Sequence, residues 1–204
     1  MPLPPPIDRE ELHLRRIELR GYRRQDALYD IEARITDTKS QPLKLERGTV
    51  LPAGAPLHDM WVRLVIDEDL LVHDVVAATD AAPFGICGEA VDSLAQLKGM
   101  RIGAGWTAAV KQRLGGAVGC THLTELLIPL GTTAFQTLTQ VRSARPMTMN
   151  AQGRPTKIDS CYAYGSERDV VRHRWPEHYD GPELEDTAAS ESSKPNERNS
   201  GEAK

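Results

Sequence analysis

Through the first half of the chain, hydrophobic and polar residues alternate. Tyr29, Ile31, Ala33 and Ile35 fall on one side of an extended segment, with Asp30, Glu32, Arg34 and Thr36 on the other, which predicts a strand covered on one face. Ile17 and Leu19, set against Glu18 and Arg20, mark a weaker strand within residues 13–20, and Met60, Val62, Leu64 and Ile66 mark a third. Asp67-Glu68-Asp69 reads as a hairpin turn into a fourth strand from Leu71 to Thr79. One apolar and one polar face per strand is the signature of an antiparallel sheet with a single covered side.

After Pro83 the spacing becomes helical. Ala90, Val91, Leu94, Ala95 and Leu97 suit a short helix stopped by Gly99, and Trp106, Val110 and Leu114 form a second stripe ended by Gly115-Gly116. The strongest stripe is Leu123, Leu126, Leu127, Leu130, Ala134, Leu138 and Val141, which follows the i, i+3, i+4, i+7 rule. Pro129 lies inside it, and a proline costs about 3 kcal/mol in a helix interior or bends it, so a bend is expected there. Strands followed by helices predict an α+β fold, an antiparallel sheet with about three helices packed on one face.

The ends differ from this body. Residues 1–10 hold four prolines and little that could pack, an extended Pro-rich lead-in. The α+β domain is expected over 11–145, with a partly docked extension over 146–180 that offers Tyr162, Tyr164, Val170, Val171 and Trp175. From Gly181 to 204 the chain is acidic and polar with one lone leucine, Leu184. It cannot bury enough surface to offset a backbone ordering cost of about 1–2 kcal/mol per residue, so a disordered tail is expected. A net charge of -4 argues against a general nucleic-acid binder. No apolar run is long enough to span a bilayer, the first residues lack signal-peptide regions, and three cysteines make no disulfide framework. These features predict a soluble cytoplasmic protein with free thiols.

Three turns carry potential metal ligands: Pro56-Leu57-His58-Asp59, Gly85-Ile86-Cys87-Gly88 and Gly119-Cys120-Thr121-His122. Their gathering at one end of a sheet would place imidazole, thiolate and carboxylate together, a donor set for zinc or iron. Cys120 stands out because it opens the long helix, where backbone N–H groups favour an anion. The competing reading is of buried thiols packing as small hydrophobes beside a structural histidine. A second constellation is the charged strand face. Arg23 and Arg24 could hold an anionic substrate by their forks, with Asp26, Glu32 and Asp37 as acid–base groups. Its competing reading is a solvated face laced with ion pairs worth about 0–1 kcal/mol each. One site serving both sets requires Cys120 and Glu32 to face the same side of the sheet.

From His58 to about Gln140 the element order resembles the U-type (NifU-like) iron–sulfur cluster scaffold proteins. His58-Asp59 stands near that family's Cys-Gly-Asp loop, Ile86-Cys87-Gly88 near its Gly-Cys-Gly turn, and Gly119-Cys120-Thr121-His122 near its His-Cys helix start. The first thiolate is missing and the histidine follows the cysteine. Over nearly the whole body the chain also resembles a bacterial family, domain of unknown function 2889, through Arg23 to Ala33, Asp37-Thr38-Lys39, His58-Asp59-Met60 and Gly119 to Leu123. That resemblance implies a setting in the breakdown of aromatic compounds.

Together these readings predict a small-molecule enzyme with a lyase or hydrolase step on an aromatic, anionic substrate. His58, Asp59, Cys87, Cys120 and His122 are the expected ligands of Zn or Fe. The alternative is a metal or iron–sulfur trafficking module without catalysis.

Overall fold

A computed structural model describes residues 4–182, apart from the side chain of Arg47. The chain divides after Arg145 into two compact units. The first is the expected α+β domain. Strands β1 (His13–Arg23), β2 (Tyr29–Lys39), β5 (Pro56–Ile66) and β6 (Val72–Ala81) form an antiparallel sheet in the order β1-β2-β5-β6. A small hairpin of β3 (Leu43–Lys44) and β4 (Val50–Leu51) interrupts the β2–β5 connection. The turn into β6 is built as the acidic cluster suggests: the Asp67 carboxylate accepts the backbone N–H groups of Asp69 and Leu71.

The alternating rows decide which face is covered. On β2 the buried residues are Tyr29, Ile31, Ala33, Ile35 and Asp37, and on β5 the inward row His58, Met60, Val62, Leu64 and Ile66 is buried together with Val65. Each row is apolar except at one end, and the register pairs those two polar ends, Asp37 opposite His58. The β2–β5 pairing is irregular at the adjacent step, between Asp37 and Thr38, as bulges beside functional sites often are.

Helices α1 (Trp106–Leu114) and α2 (Thr121–Thr137) close the core over this face. Their approach depends on two glycines without side chains. A Cβ on Gly21 of β1 would sit 1.8 Å from the Thr137 hydroxyl, and one on Gly131 would sit 3.0 Å from the Trp106 ring. The Trp106 indole N–H donates to the Leu127 carbonyl at 2.8 Å, joining α1 to α2.

Two helical expectations differ in detail. The segment before Gly99 is a 3-10 helix, Gly85–Leu97, rather than an α-helix. Val91, Leu94 and Leu97 are spaced by three, the 3-10 period, and so short a stripe does not separate 3.0 from 3.6 residues per turn. The long stripe runs through Pro129 as α2 and breaks at Leu138, beyond which α3 (Thr139–Ser143) continues. Around the break the hydroxyls of Thr133, Thr137 and Thr139 donate to carbonyls four residues back, a competing bond that loosens helices.

The second unit has a core of its own, Ile158, Val171 and Trp175 with Tyr164 packed against it, and its described residues form the α-helix α4 (Asp169–Arg174) with short 3-10 turns at Tyr162–Tyr164 and Pro176–His178. Residues 183–204, nearly all of the expected tail, and residues 1–3 of the lead-in lie outside the described residues. Among the described residues no helix is long and apolar enough to cross a membrane.

Candidate functional site

Asp37 is almost fully buried, with 1% of its surface exposed, because alternation along β2 aims it at the helical layer. Arg15 and two histidines surround it there. Arg15, its cross-strand neighbour on β1, donates Nε to Oδ1 and Nη2 to Oδ2, both at 2.8 Å. His58 Nδ1 lies 3.0 Å from Oδ2, and His13 Nε2 lies 3.1 Å from Oδ1. The third guanidinium nitrogen of Arg15 reaches Glu125 on α2 at 2.8 Å, which ties the sheet to the helix.

His122, in the first turn of α2, completes the cluster. Its ring stacks on that of His58 with centroids 3.8 Å apart and planes tilted by 33°. His122 Nε2 lies 3.9 Å from Asp37 Oδ2, and its Nδ1 lies 3.9 Å from the Cys120 sulfur. Burial pushes the Asp37 carboxyl up, but the Arg15 fork and His58 outweigh it and hold the group below the ordinary carboxylate value. For His122, burial first and then the neighbouring His58 and Arg15 hold the imidazole below its ordinary value, against Asp37 and Glu125. Both directions favour an ionised Asp37 and a neutral His122, the forms that bind a cation.

The cluster forms the floor of a cleft of about 660 Å³, within the usual range of small-molecule sites. The start of the 3-10 helix supplies one wall, with Phe84, Ile86 and Cys87. The Ala117–Cys120 loop supplies the other. Phe84, Ile86 and Val118 are large apolar side chains left exposed on these walls.

The set of side chains singled out in the sequence therefore separates. His58, Cys87, Cys120 and His122 all line the cleft, and Asp37 joins them through its contact with His58. Asp59 does not: one residue from His58, it points to the other face of β5, where Arg34 holds it bidentately at 2.8 and 2.7 Å. Glu32 lies on that same outer face, held by Arg63 at 2.7 Å, opposite the face covered by α2 and Cys120. Asp26 is bound by Arg24 at the β1–β2 turn. Arg23 and Arg24 stand at that turn, and Arg23 is eight strand residues from Arg15, roughly 26 Å away at the strand rise. The outer face is thus an ion-pair surface, and neither arginine reaches the cleft.

Three members of the cluster were not anticipated from the sequence. Arg15 and His13 sit on a strand whose pattern is weak, and Glu125 lies on the polar flank of α2. One signal was available: Arg15 occupies an inward register position beside Ile17 and Leu19, where an apolar residue would be expected.

Fold and site define an α+β protein with an imidazole–carboxylate cluster at the floor of an apolar cleft. The family model described as "Protein of unknown function (DUF2889)" matches residues 13–136, and the chain belongs to that family. The matched segment contains every residue of the cluster. No curated protein and no solved structure matches the chain, so the resemblance to U-type scaffolds gains no support from a solved fold.

Proposed function

We propose that the protein is a small-molecule enzyme whose cleft holds a divalent transition ion, Zn²⁺ or Fe²⁺, at His58 and His122 beside Asp37. The observation that carries this reading is the spacing of Asp37, His58 and His122, whose potential ligand atoms all lie within 4.8 Å of one another. Around a tetrahedral ion with bonds of 2.0–2.1 Å, neighbouring nitrogen or oxygen ligands stand about 3.3 Å apart, so small rotamer changes suffice. The donors are imidazole and carboxylate with thiols nearby, a set suited to these ions.

A bound ion supplies a Lewis acid or an activated water. The chain's own groups do the rest. Asp37, fixed by Arg15, orients His58, while Phe84, Ile86 and Val118 receive an apolar ligand body and exclude water. A lyase or hydrolase step on an aromatic compound fits those walls and the setting implied by the family resemblance. The cleft-lining thiols Cys87 and Cys120 favour one rival, a metal or iron–sulfur carrier. A stable visible chromophore after anaerobic cluster reconstitution would select the carrier.

Calorimetric titration of Zn²⁺ and of Fe²⁺ under anaerobic conditions into chelator-stripped protein tests the reading. The parent should bind one ion per chain, and His58→Ala and His122→Ala should each lose binding. A parent that binds neither ion ends the proposal.

A further inference from the structure

The hydrogen bonds at Asp37 bear on where such an ion sits. A carboxylate has about four lone-pair sites, and three hydrogen bonds already engage both oxygens of Asp37, two from the Arg15 fork and one from His58, with His13 Nε2 standing 3.1 Å from Oδ1 beside them. A carboxylate facing an arginine fork can only accept, so the His58 nitrogen that faces it, Nδ1, carries the proton. The lone pair of neutral His58 is then on Nε2, for which no hydrogen bond is formed among the described residues. His122 is disposed alike. Its Nε2 faces Asp37, and its Nδ1 lies beside the Cys120 sulfur. The carboxylate therefore faces one nitrogen of each imidazole, which leaves His58 Nε2 turned away from it and His122 Nδ1 turned toward the Cys120 sulfur.

We infer that Asp37 orients the two imidazoles without ligating, and that the ion sits on the cleft side, held by His58 Nε2, His122 Nδ1 and the thiolate of Cys120. The inference rests on the metal-site reading above and specifies its ligands. For a tetrahedral ion with sulfur at about 2.3 Å and nitrogen at about 2.05 Å, sulfur and nitrogen ligands stand about 3.5 Å apart. The observed 3.9 Å between the Cys120 sulfur and His122 Nδ1 is close to that value, while the sulfur stands outside the group of Asp37, His58 and His122 atoms that lie within 4.8 Å of one another, so Cys120 must turn toward them to ligate. His58, Cys120 and His122 all line the same cleft, so the remaining coordination position opens onto the space where a ligand would enter. A carboxylate behind a metal-bound imidazole is a recurrent arrangement that fixes the tautomer and strengthens the ligand. Binding would release the Cys120 thiol proton to solvent.

Cobalt(II) is the probe, titrated into the full chain and followed by absorption. The parent should take up one Co²⁺ and show both ligand-field bands and the near-ultraviolet charge-transfer band of a thiolate–cobalt bond. Cys120→Ser should lose the charge-transfer band, and Cys87→Ser should keep it. Asp37→Asn, if folded by circular dichroism, should keep the band with affinity reduced about 10- to 100-fold. Bound cobalt without the sulfur band in the parent overturns this ligand assignment while leaving the metal reading intact. Retention of the band in Cys120→Ser, or its loss in Cys87→Ser, overturns the choice of thiol. A folded Asp37→Asn that binds no cobalt makes Asp37 a ligand. No cobalt uptake by the parent removes the metal reading itself.

Discussion

Replacing Asp37 with alanine should be among the most damaging single changes outside the apolar core. The carboxylate is 1% exposed and accepts from Arg15 and His58, with His13 beside it. Removing one partner of a buried ion pair usually costs about 3–5 kcal/mol, because the other charge is stranded. Here the stranded arginine is only partly buried: 32% of its side chain is exposed and it keeps Glu125, so much of that penalty is relieved. His58 has no such outlet for Nδ1, and leaving a buried donor unsatisfied costs about 1–3 kcal/mol. With lost packing around the carboxyl, the expected destabilisation is about 2–3 kcal/mol, a sizeable share of a domain total of about 5–15 kcal/mol. Glu125→Ala is the internal control, since its carboxylate is about half exposed and such a pair is worth at most about 1 kcal/mol. Urea unfolding followed by far-ultraviolet circular dichroism measures both, with an unchanged m-value confirming comparable denatured states. An Asp37→Ala variant no less stable than Glu125→Ala would refute the description of Asp37 as the buried hub of the cluster.

Other expectations follow from the same geometry. Gly21→Ala places a methyl group where Thr137 already stands, so it should lower stability by about 1–3 kcal/mol through overpacking; an unchanged melting temperature would contradict the seating of α2 on β1. The Asp37 carboxyl is held low, so its contribution is complete above the ordinary carboxylate value and is lost as pH falls through the lower folded value. Asp37→Asn should flatten that acid limb of the stability profile. His122 is also held low, so stability should be full above about 6.5 and decline as pH falls from there toward the lower folded value; urea midpoints of His122→Gln should lack that decline. Arg23→Ala and Arg24→Ala should leave ion uptake unchanged, because the turn that carries them lies roughly 26 Å along the strand from the cluster.

The sheet was legible because β2 alternates cleanly and β5 carries an inward row from Met60 to Ile66, and the covered face follows from those rows. The same alternation puts Asp37 on the covered face, although by sequence it was grouped with the charged outer face, and its meaning lay in register. Asp37 and His58 each occupy the position where an apolar row should continue, yet only the pairing of β2 with β5 shows that the two exceptions meet. Asp59 illustrates the converse. It adjoins His58 in sequence, and the two-residue period of a strand sends it to the opposite face, where Arg34 takes it. The charged residues of the outer face were visible as a set but not as ion pairs, since cross-strand partners such as Glu32 and Arg63 are about thirty residues apart in the chain. Arg15 escaped notice because long charged side chains on edge strands are common, and its pairing with the buried Asp37 and with Glu125 on α2 appears only once the strands and the helix are assembled.

The most direct test is anomalous X-ray diffraction from crystals of the full chain grown with Zn²⁺, recorded on both sides of the zinc absorption edge. The account predicts a single strong peak at the cleft floor, within bonding distance of one nitrogen each of His58 and His122. A map with no peak there, or with zinc only at surface carboxylates such as Asp67 beside His73, would contradict it.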